Sequence, residues 1–359
     1  MKFVSIIILN YNWKQFNKDC IDSVLQQSYQ NFEIIFVDNH STDGSLELVK
    51  EEFQSKIDDN KIRIIENKEN IWFAWGNNLW VTHANKQSEY ICLLNNDTTV
   101  WEFRLEELIK WIQWDNKLWA VSSIILDKGY EDAIKEQIFE KKEIFASNIF
   151  WELALRRYSE EEFKNRLVYT SLLSWCSLLY KKNIIDRPFE DYYFAYAEDV
   201  YLSLYLIRKW YTLAYCLNSV VNHIGSGSFG KEPSKIKLFH GNKNQIINFL
   251  VFYSNRQIFF LLPLFIIKEI SHIFFSSPLK RIQWKYSARK RIIRNYHMIK
   301  KTRMEVQKQS RIDNRKFLEE LSYNMVEPNI FCFQFTNFQK RIVEKANTLF
   351  SMYIGKNIK

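Results

Sequence analysis

Five short apolar runs, each parted from the next by a helix-patterned stretch, constrain this chain more than any other feature. Phe3–Leu9, Phe32–Val37, Lys61–Ile65, Tyr90–Leu94 and Ala120–Ile125 have the length of buried strands and are too short for core helices. Between them, Phe16 to Gln27 sets Cys20, Ile21, Val24 and Leu25 at helical spacing. The stretches from Ser45, from Phe73 to Ala84 and from Glu102 to Gln113 read as further helices, and Asp43 is placed to cap the one near Ser45. Strands alternating with helices argue for βαβ units and a mostly parallel sheet. Ligands of such sheets bind just beyond the carboxyl ends of the strands. The polar clusters there, Asn10-Tyr11-Asn12, Asp38-Asn39 and Asn95-Asn96-Asp97, are therefore the first candidates for a site.

Farther along, Asp127 to Tyr169 is charged and weakly patterned, and reads as an excursion over a substrate site. Leu172–Tyr180 resumes strand character. Phe189–Tyr196 is an aromatic, acidic loop leading into Glu198-Asp199 and a helix to about Trp210. Leu213–Leu217 is a strand, followed by Val220-Val221-Asn222-His223 and a loop with Gly225, Gly227 and Gly230. Each cluster alone has a plain structural explanation. Asn-Asn-Asp-Thr is ordinary loop chemistry, Glu198-Asp199 suits a helix N-terminus, and a lone His223 is more often structural than a ligand. Gathered at one rim of one sheet, they are placed to meet a metal ion and a phosphate.

The stretches VSIIILNYN, CIDSVLQQSY, IIFVDNHSTDGS, ENIWFAWGNN, LLNNDTTV, FAYAEDVYLSLYL and VVNHIGSGS, in this order and spacing, resemble a family 2 glycosyltransferase of the GT-A fold. The nearest likeness is to the rhamnosyltransferase-like branch that builds bacterial surface polysaccharides, and it covers Lys2 to Phe229. The resemblance implies an α/β fold: a nucleotide-sugar-binding, Rossmann-like mixed sheet flanked by helices over residues 1–230. A helical, basic, membrane-associating extension would follow over 231–359.

It also implies roles. Asp38 would hydrogen-bond the pyrimidine of a UDP- or dTDP-sugar donor, with Asn10, Tyr11, Asn12, Asn70, Asn77, Asn78 and Asn96 around the nucleotide. Asp97 matches the last carboxylate of the family's metal motif, which here reads Asn95-Asn96-Asp97, with one carboxylate instead of two. With His223 it would hold Mg²⁺ or Mn²⁺; an oxygen donor set suits either ion, and an imidazole ligand favours manganese. Asp199, beside Glu198, matches the general base that takes the acceptor's proton in a single, inverting displacement. Where the family has Asp and Arg in the following helix, this chain has Tyr201 and Tyr205.

Glycine and tryptophan depart from the pattern together. The chain has 8 glycines and 12 tryptophans in 359 residues, against a usual glycine content of ~7%. Trp13, Trp72, Trp75, Trp80, Trp119, Trp175 and Trp210 stand where the resemblance expects glycine, whose freedom at φ > 0 tryptophan lacks. The expectation is that UGA codons for glycine in the source organism are written here as tryptophan.

Five scattered cysteines without C-x-x-C spacing fit a reducing compartment better than disulfides or zinc. The brief apolar start reads as a first strand and not a signal peptide. Of the net charge of +9, Ser276–Lys316 contributes +12, so the rest carries −3. This basic segment follows the apolar stretch Ile258–Phe275, which reads as an interfacial or re-entrant helix. Together, 258–316 is expected to meet an anionic membrane surface, putting the protein in the cytoplasm, peripheral on the inner face of the cell membrane. The acceptor would be a glycan or a polyprenyl-linked sugar. No nucleic-acid-binding motif is visible, and no nucleic-acid partner is expected. The rival readings are a non-catalytic membrane-associated scaffold on the same fold and a sugar-phosphate nucleotidyltransferase, which would need an early glycine-rich phosphate loop that the sequence lacks.

Overall fold

The computed structural model describes residues 1–70, 81–148, 150, 153–184, 193, 196–224, 235–275, 279–321, 341, 345, 347–349 and 351–354. The first half alternates as expected: β1 (Phe3–Asn10), α1 (Lys14–Leu25), β2 (Phe32–Asp38), α2 (Ser45–Glu52), β3 (Ile62–Glu66), β4 (Ser88–Asn95), β5 (Thr98–Val100), α3 (Arg104–Trp114) and β6 (Leu118–Asp127). Most of the expected helix at Phe73–Ala84 lies outside the described residues; its end, Val81 to His83, is helical. The α2 N-cap is Gly44 at φ 79, not Asp43. Asp43 acts from one residue before it, where Oδ1 accepts the Ser45 N–H and Oδ2 the Lys14 N–H.

The Asp127–Tyr169 excursion has regular structure. Short helical turns flank β7 (Glu143–Ser147) and β8 (Leu153–Arg157), which form their own antiparallel pair, before β9 (Leu167–Tyr169). There follow β10 (Ser177–Lys181), shorter than Leu172–Tyr180; α4 (Glu198–Arg208); and β11 (Thr212–His223). The two expected pieces of β11 form one strand, whose register shifts between Cys216 and Val220. The C-terminal region is helical: α5 (Lys235–Phe252), α6 (Asn255–Phe275), α7 (Leu279–Arg294) and α8 (Tyr296–Gln309).

Nine strands make one sheet in the order β3-β2-β1-β4-β10-β6-β11-β5, with β9 also paired to β11. It is mixed. β10 runs antiparallel between β4 and β6, and β5 and β9 pair antiparallel with β11. The reversal of β10 leaves β4 and β6 pointing the same way. The carboxyl ends of β1, β2, β3, β4, β6 and β11 thus share one rim.

Successive residues of each strand face opposite sides of the sheet, and the core divides accordingly. Val4, Ile6, Ile8, Ile34, Phe36, Cys92 and Leu94 pack beneath residues from α1, α2 and α3. Ile7, Ile35, Val37, Ile91 and Leu93 belong to the other cluster, which continues through Ile247, Phe252, Leu261, Phe265, Ile292, Ile299 and Val306 of the C-terminal helices. One apolar cluster thus includes residues of both the sheet and the described C-terminal helices. No helix among the described residues is long and apolar enough to cross a membrane.

Candidate active site

The register brings the polar strand ends together. Asn10 lies opposite Asp38, Leu9 opposite Asn95, and His223 opposite both Asp127 and Thr98. At the β1–β2–β4 corner, Asn10 Nδ2 donates to Asp38 Oδ1 and to Ser41 Oγ, each at 2.9 Å. Its Oδ1 accepts from Asn17 at 3.1 Å and Asn96 at 2.9 Å, and Asn96 also donates to Asn17 Oδ1. Asp38 Oδ2 accepts the Ser41 N–H at 2.9 Å.

Asn10 has no exposed surface and spends its amide on protein partners. These bonds tie Asp38, Ser41, Asn17 and Asn96 to the end of β1. Asn96 is buried and engaged in the same way. Asp38 is nearly covered, but each oxygen keeps a lone pair beyond the bond it accepts. Around it, Tyr11 is exposed, Asn12 sits at φ 55 and accepts the Thr42 N–H at 2.7 Å, and Asn70 accepts from Asn39 at 2.7 Å. Asn77 and Asn78, with Trp72, Trp75 and Trp80, lie outside the described residues.

At the β4–β5–β11 corner, the Asp97 backbone carbonyl accepts the Ile224 N–H at 2.8 Å. Its side-chain Oδ1 lies 3.3 Å from His223 Nε2, while Asp127 Oδ1 lies 2.6 Å from His223 Nδ1. Burial by itself would lower the imidazole's pKa. The hydrogen bonds and charges of Asp127 and Asp97 outweigh it and push the value up to about 9. The two carboxylates thus favour the protonated ring.

This donor set fits a divalent metal ion. A carboxylate on Nδ1 is the usual partner of a metal-binding histidine, since it orients the ring and raises its basicity. It leaves Nε2 facing the Asp97 oxygen, and a metal taking both would displace the Nε2 proton. Among the described residues no three His, Cys, Asp or Glu side chains gather to hold a metal ion unaided. Diphosphate oxygens and water would complete the shell.

The third component is Glu198-Asp199. Burial and, further, the Asp199 charge raise the pKa of Tyr215 on β11, and Tyr215 is level across the sheet with Leu93, two residues before the end of β4. The N-cap of α4 is Ala197, in the left-handed conformation and without a side-chain capping bond. Burial raises the pKa of both carboxyls, and the Asp199 charge raises Glu198 further. Asp199 Oδ1 accepts the Val200 N–H at 2.8 Å; Glu198 Oε2 has no partner among the described residues. Tyr201 is buried against Tyr193 and Phe252, and Tyr205 donates to Gln309 Oε1. Both tyrosines serve packing between α4 and the C-terminal helices.

Three contributors escaped the sequence reading. Asn17 had a signal, being a polar residue on the same helix face as Cys20, Ile21 and Val24. Asp127 ends an apolar strand as Asp38 does. Ser41 lay inside a cluster already marked.

The family profile described as Glycosyl transferase family 2 matches residues 5–187, just over half of the chain. The chain belongs to glycosyl transferase family 2. Among relatives, the glycosyltransferase GlyG of Streptococcus pneumoniae serotype 4 is 31% identical over 112 residues, which is 31% of this chain and 36% of that protein. A glucosyltransferase of Escherichia coli, WfaP, is named for moving glucose from UDP-Glc to an α-D-GlcNAc-diphosphoundecaprenol acceptor. It is 28% identical over 130 residues, 36% of this chain and 49% of its own length. A dolichyl-phosphate-linked-sugar glucuronosyltransferase of Methanococcus voltae is 26% identical over 59% of this chain and 64% of its own. The chain thus spans little more than a third of the GlyG protein. The crystal structure of GalNAc-T7 with UDP, GalNAc and Mn²⁺ superposes with a TM-score of 0.53 at 15% identity, covering 69% of this chain and 48% of that one. That likeness shows that the family 2 chain has the GT-A fold.

Proposed function

We propose that this family 2 chain is an inverting, metal-dependent glycosyltransferase. It moves a sugar from a UDP- or dTDP-sugar to a hydroxyl of a glycan or polyprenyl-linked acceptor in cell-surface polysaccharide synthesis, within the rhamnosyltransferase-like branch. One observation carries the reading: a satisfied Asp38 corner and an Asp97–His223–Asp127 corner share a rim with two carboxyls whose proton affinity burial has raised. The UDP-Glc and lipid-diphosphate acceptor in the name of the E. coli relative support the donor and acceptor classes.

Asp38 receives the nucleotide base and Asn10, Asn17 and Asn96 keep it in place. Asp97 and His223 would hold Mg²⁺ or Mn²⁺ with the diphosphate; the ion supplies Lewis-acid stabilisation of the leaving group. Asp199 takes the proton of the acceptor hydroxyl as that oxygen attacks the anomeric carbon from the face opposite the nucleotide. A raised pKa suits that task, because a base works best when its pKa lies near the working pH. A panel of nucleotide-sugars assayed with Mn²⁺ and with chelator tests the whole reading. Metal-dependent release of nucleoside diphosphate is expected, and none from any donor would overturn it. Asp97→Ala is expected to abolish metal-dependent donor binding by calorimetry, and retained binding refutes its role.

The C-terminal helices supply the membrane contact. Phe259 (74% exposed) on α6 and Ile293 (75% exposed) on α7 project into solvent, with Tyr286, Tyr296 and Met304 also exposed. Helix α7 carries seven Lys or Arg and no acid. Apolar and aromatic side chains among basic ones are the composition of a helix lying in an anionic interface, on the cytoplasmic side of the cell membrane. Salt-sensitive cosedimentation with phosphatidylglycerol vesicles is expected, and equal binding to phosphatidylcholine vesicles would refute it.

The glycine reading draws support from Trp210. It stands at φ 66 just past the end of α4, where Trp210 N–H bonds the Ile207 carbonyl and Tyr211 N–H that of Leu206. Helices that close in this way usually take glycine at the left-handed residue. Tandem mass spectrometry of the native protein is expected to find glycine at 210; tryptophan there ends the idea.

A further inference from the structure

We propose that Asn244, on α5, is a positioning residue that holds Asp199 in place; the proposal rests on the reading of Asp199 as base. Two consecutive non-glycine residues, Tyr196 (φ 64) and Ala197 (φ 60), adopt the left-handed conformation immediately before Glu198-Asp199. Each such residue strains the backbone, because its Cβ crowds the following carbonyl oxygen. Strain of this kind persists only where surrounding contacts over-determine it. Ala197 gives α4 no side-chain cap, so the restraint has to come from elsewhere.

It comes from α5. Asn244, with no exposed surface, donates from Nδ2 to the Tyr196 carbonyl at 2.6 Å. One turn on, Asn248, equally buried, accepts the Tyr193 hydroxyl. The Tyr193 ring lies 4.8 Å from that of Tyr201 on α4. One face of α5 thus holds the chain at Tyr193 and Tyr196 and, through Phe252, packs on Tyr201 beyond the strained pair.

The helix is itself anchored. Its last turn exposes carbonyls that the helix cannot satisfy. Arg303 bonds that of Leu250, Gln307 those of Val251 and Phe252, and Arg208, at the end of α4, also reaches Phe252. The C-terminal region is therefore tied to the base through backbone geometry, apart from any membrane contact.

The test combines two readouts on the full-length chain carrying Asn244→Leu, which keeps the shape and removes the donor. Hydrogen exchange over 193–205 reports the turn without reference to activity; steady-state transfer reports its consequence. Faster exchange is expected, with kcat lowered about tenfold or more and the donor KM unchanged. Adding Ala197→Gly, which accepts φ > 0 without strain, is expected to recover much of both. Unchanged exchange, or a fall in kcat that Ala197→Gly does not recover, overturns the proposal. Faster exchange with unchanged turnover overturns it as well, and Asp199→Asn then shows whether the base assignment itself has failed. Should Asn244→Leu not fold, Ala197→Val, which raises the strain and leaves Asn244 intact, is expected to give the same kcat-selective loss; an unchanged kcat refutes the proposal.

Discussion

The rim holds its carboxylates in two opposite ways. At the Asp38 corner each carboxylate oxygen has a donor, and Asn10, Asn17, Asn96 and Ser41 close a buried network of neutral groups around it. At the head of α4, two carboxyls lie side by side. Asp199 receives one backbone N–H, and Glu198 Oε2 has no partner among the described residues. A satisfied network fixes a shape. An unsatisfied pair cannot keep both charges, so it holds a proton that solvent would otherwise take, and can exchange it. The first corner is built to stay as it is; the second is built to change its protonation.

Four measurements can break that contrast. Asp199→Asn should have the largest effect, lowering transfer by ~10²–10⁴-fold while nucleoside diphosphate binding by calorimetry stays as in the parent; near-parental turnover would place the base elsewhere. Asp127→Asn keeps the shape beside His223 Nδ1 and removes the charge. It should weaken Mn²⁺ binding in the presence of nucleoside diphosphate by about 10–100-fold, and an unchanged Mn²⁺ titration would remove His223 from the ligand set. Asn10→Leu should cost ~1–3 kcal/mol of stability by stranding the groups around it, read as a lower urea midpoint; a neutral result would mean that water replaces the amide.

Glu198→Gln should have the smallest effect and the most specific one. Both carboxyls have native pKa values raised by burial, so the folded chain keeps protons that the unfolded chain releases. Their protonation favours folding at acid pH, and that contribution is lost as pH rises from the ordinary carboxylate range through the raised values. With Gln at 198, the fall in melting temperature over that interval should flatten. The acid limb of kcat should stay in place, because Asp199 ionises first, while Glu198, held protonated by burial and by the Asp199 charge, is still neutral. If the melting curve does not flatten, Glu198 does not keep its proton in the folded chain.

Much of the rim was legible because its signals are local. An apolar run that ends in Asp38 or in Asn96-Asp97 announces both strand and strand end, and parallel register then aligns the ends. Pairing between distant segments leaves no such mark. Nothing in Ser177–Lys181 says that it lies antiparallel between β4 and β6. Weak patterning hid the β7–β8 pair, whose turn lacks glycine. Asn10 was marked as polar and at a strand end, but whether an amide faces ligand or protein depends on Asn17 and Asn96, which arrive from other elements. The basic tail advertised its charge and concealed that Ile247, Phe252 and Phe265 belong to the main core.

The place of β10 has a consequence for synthesis on the ribosome. When Asp127 has emerged, β1 to β4 and β6 exist, but β4 and β6 are not neighbours; the strand between them is made only after the whole 128–176 stretch. Until then both present open edges, which invite pairing with other chains. The nascent protein should therefore gain no cooperative fold on release of β6 and gain one once β10 has cleared the exit tunnel. A translation-arrest force profile with its main peak before that length would contradict this. The seam that β10 closes runs through the middle of the sheet.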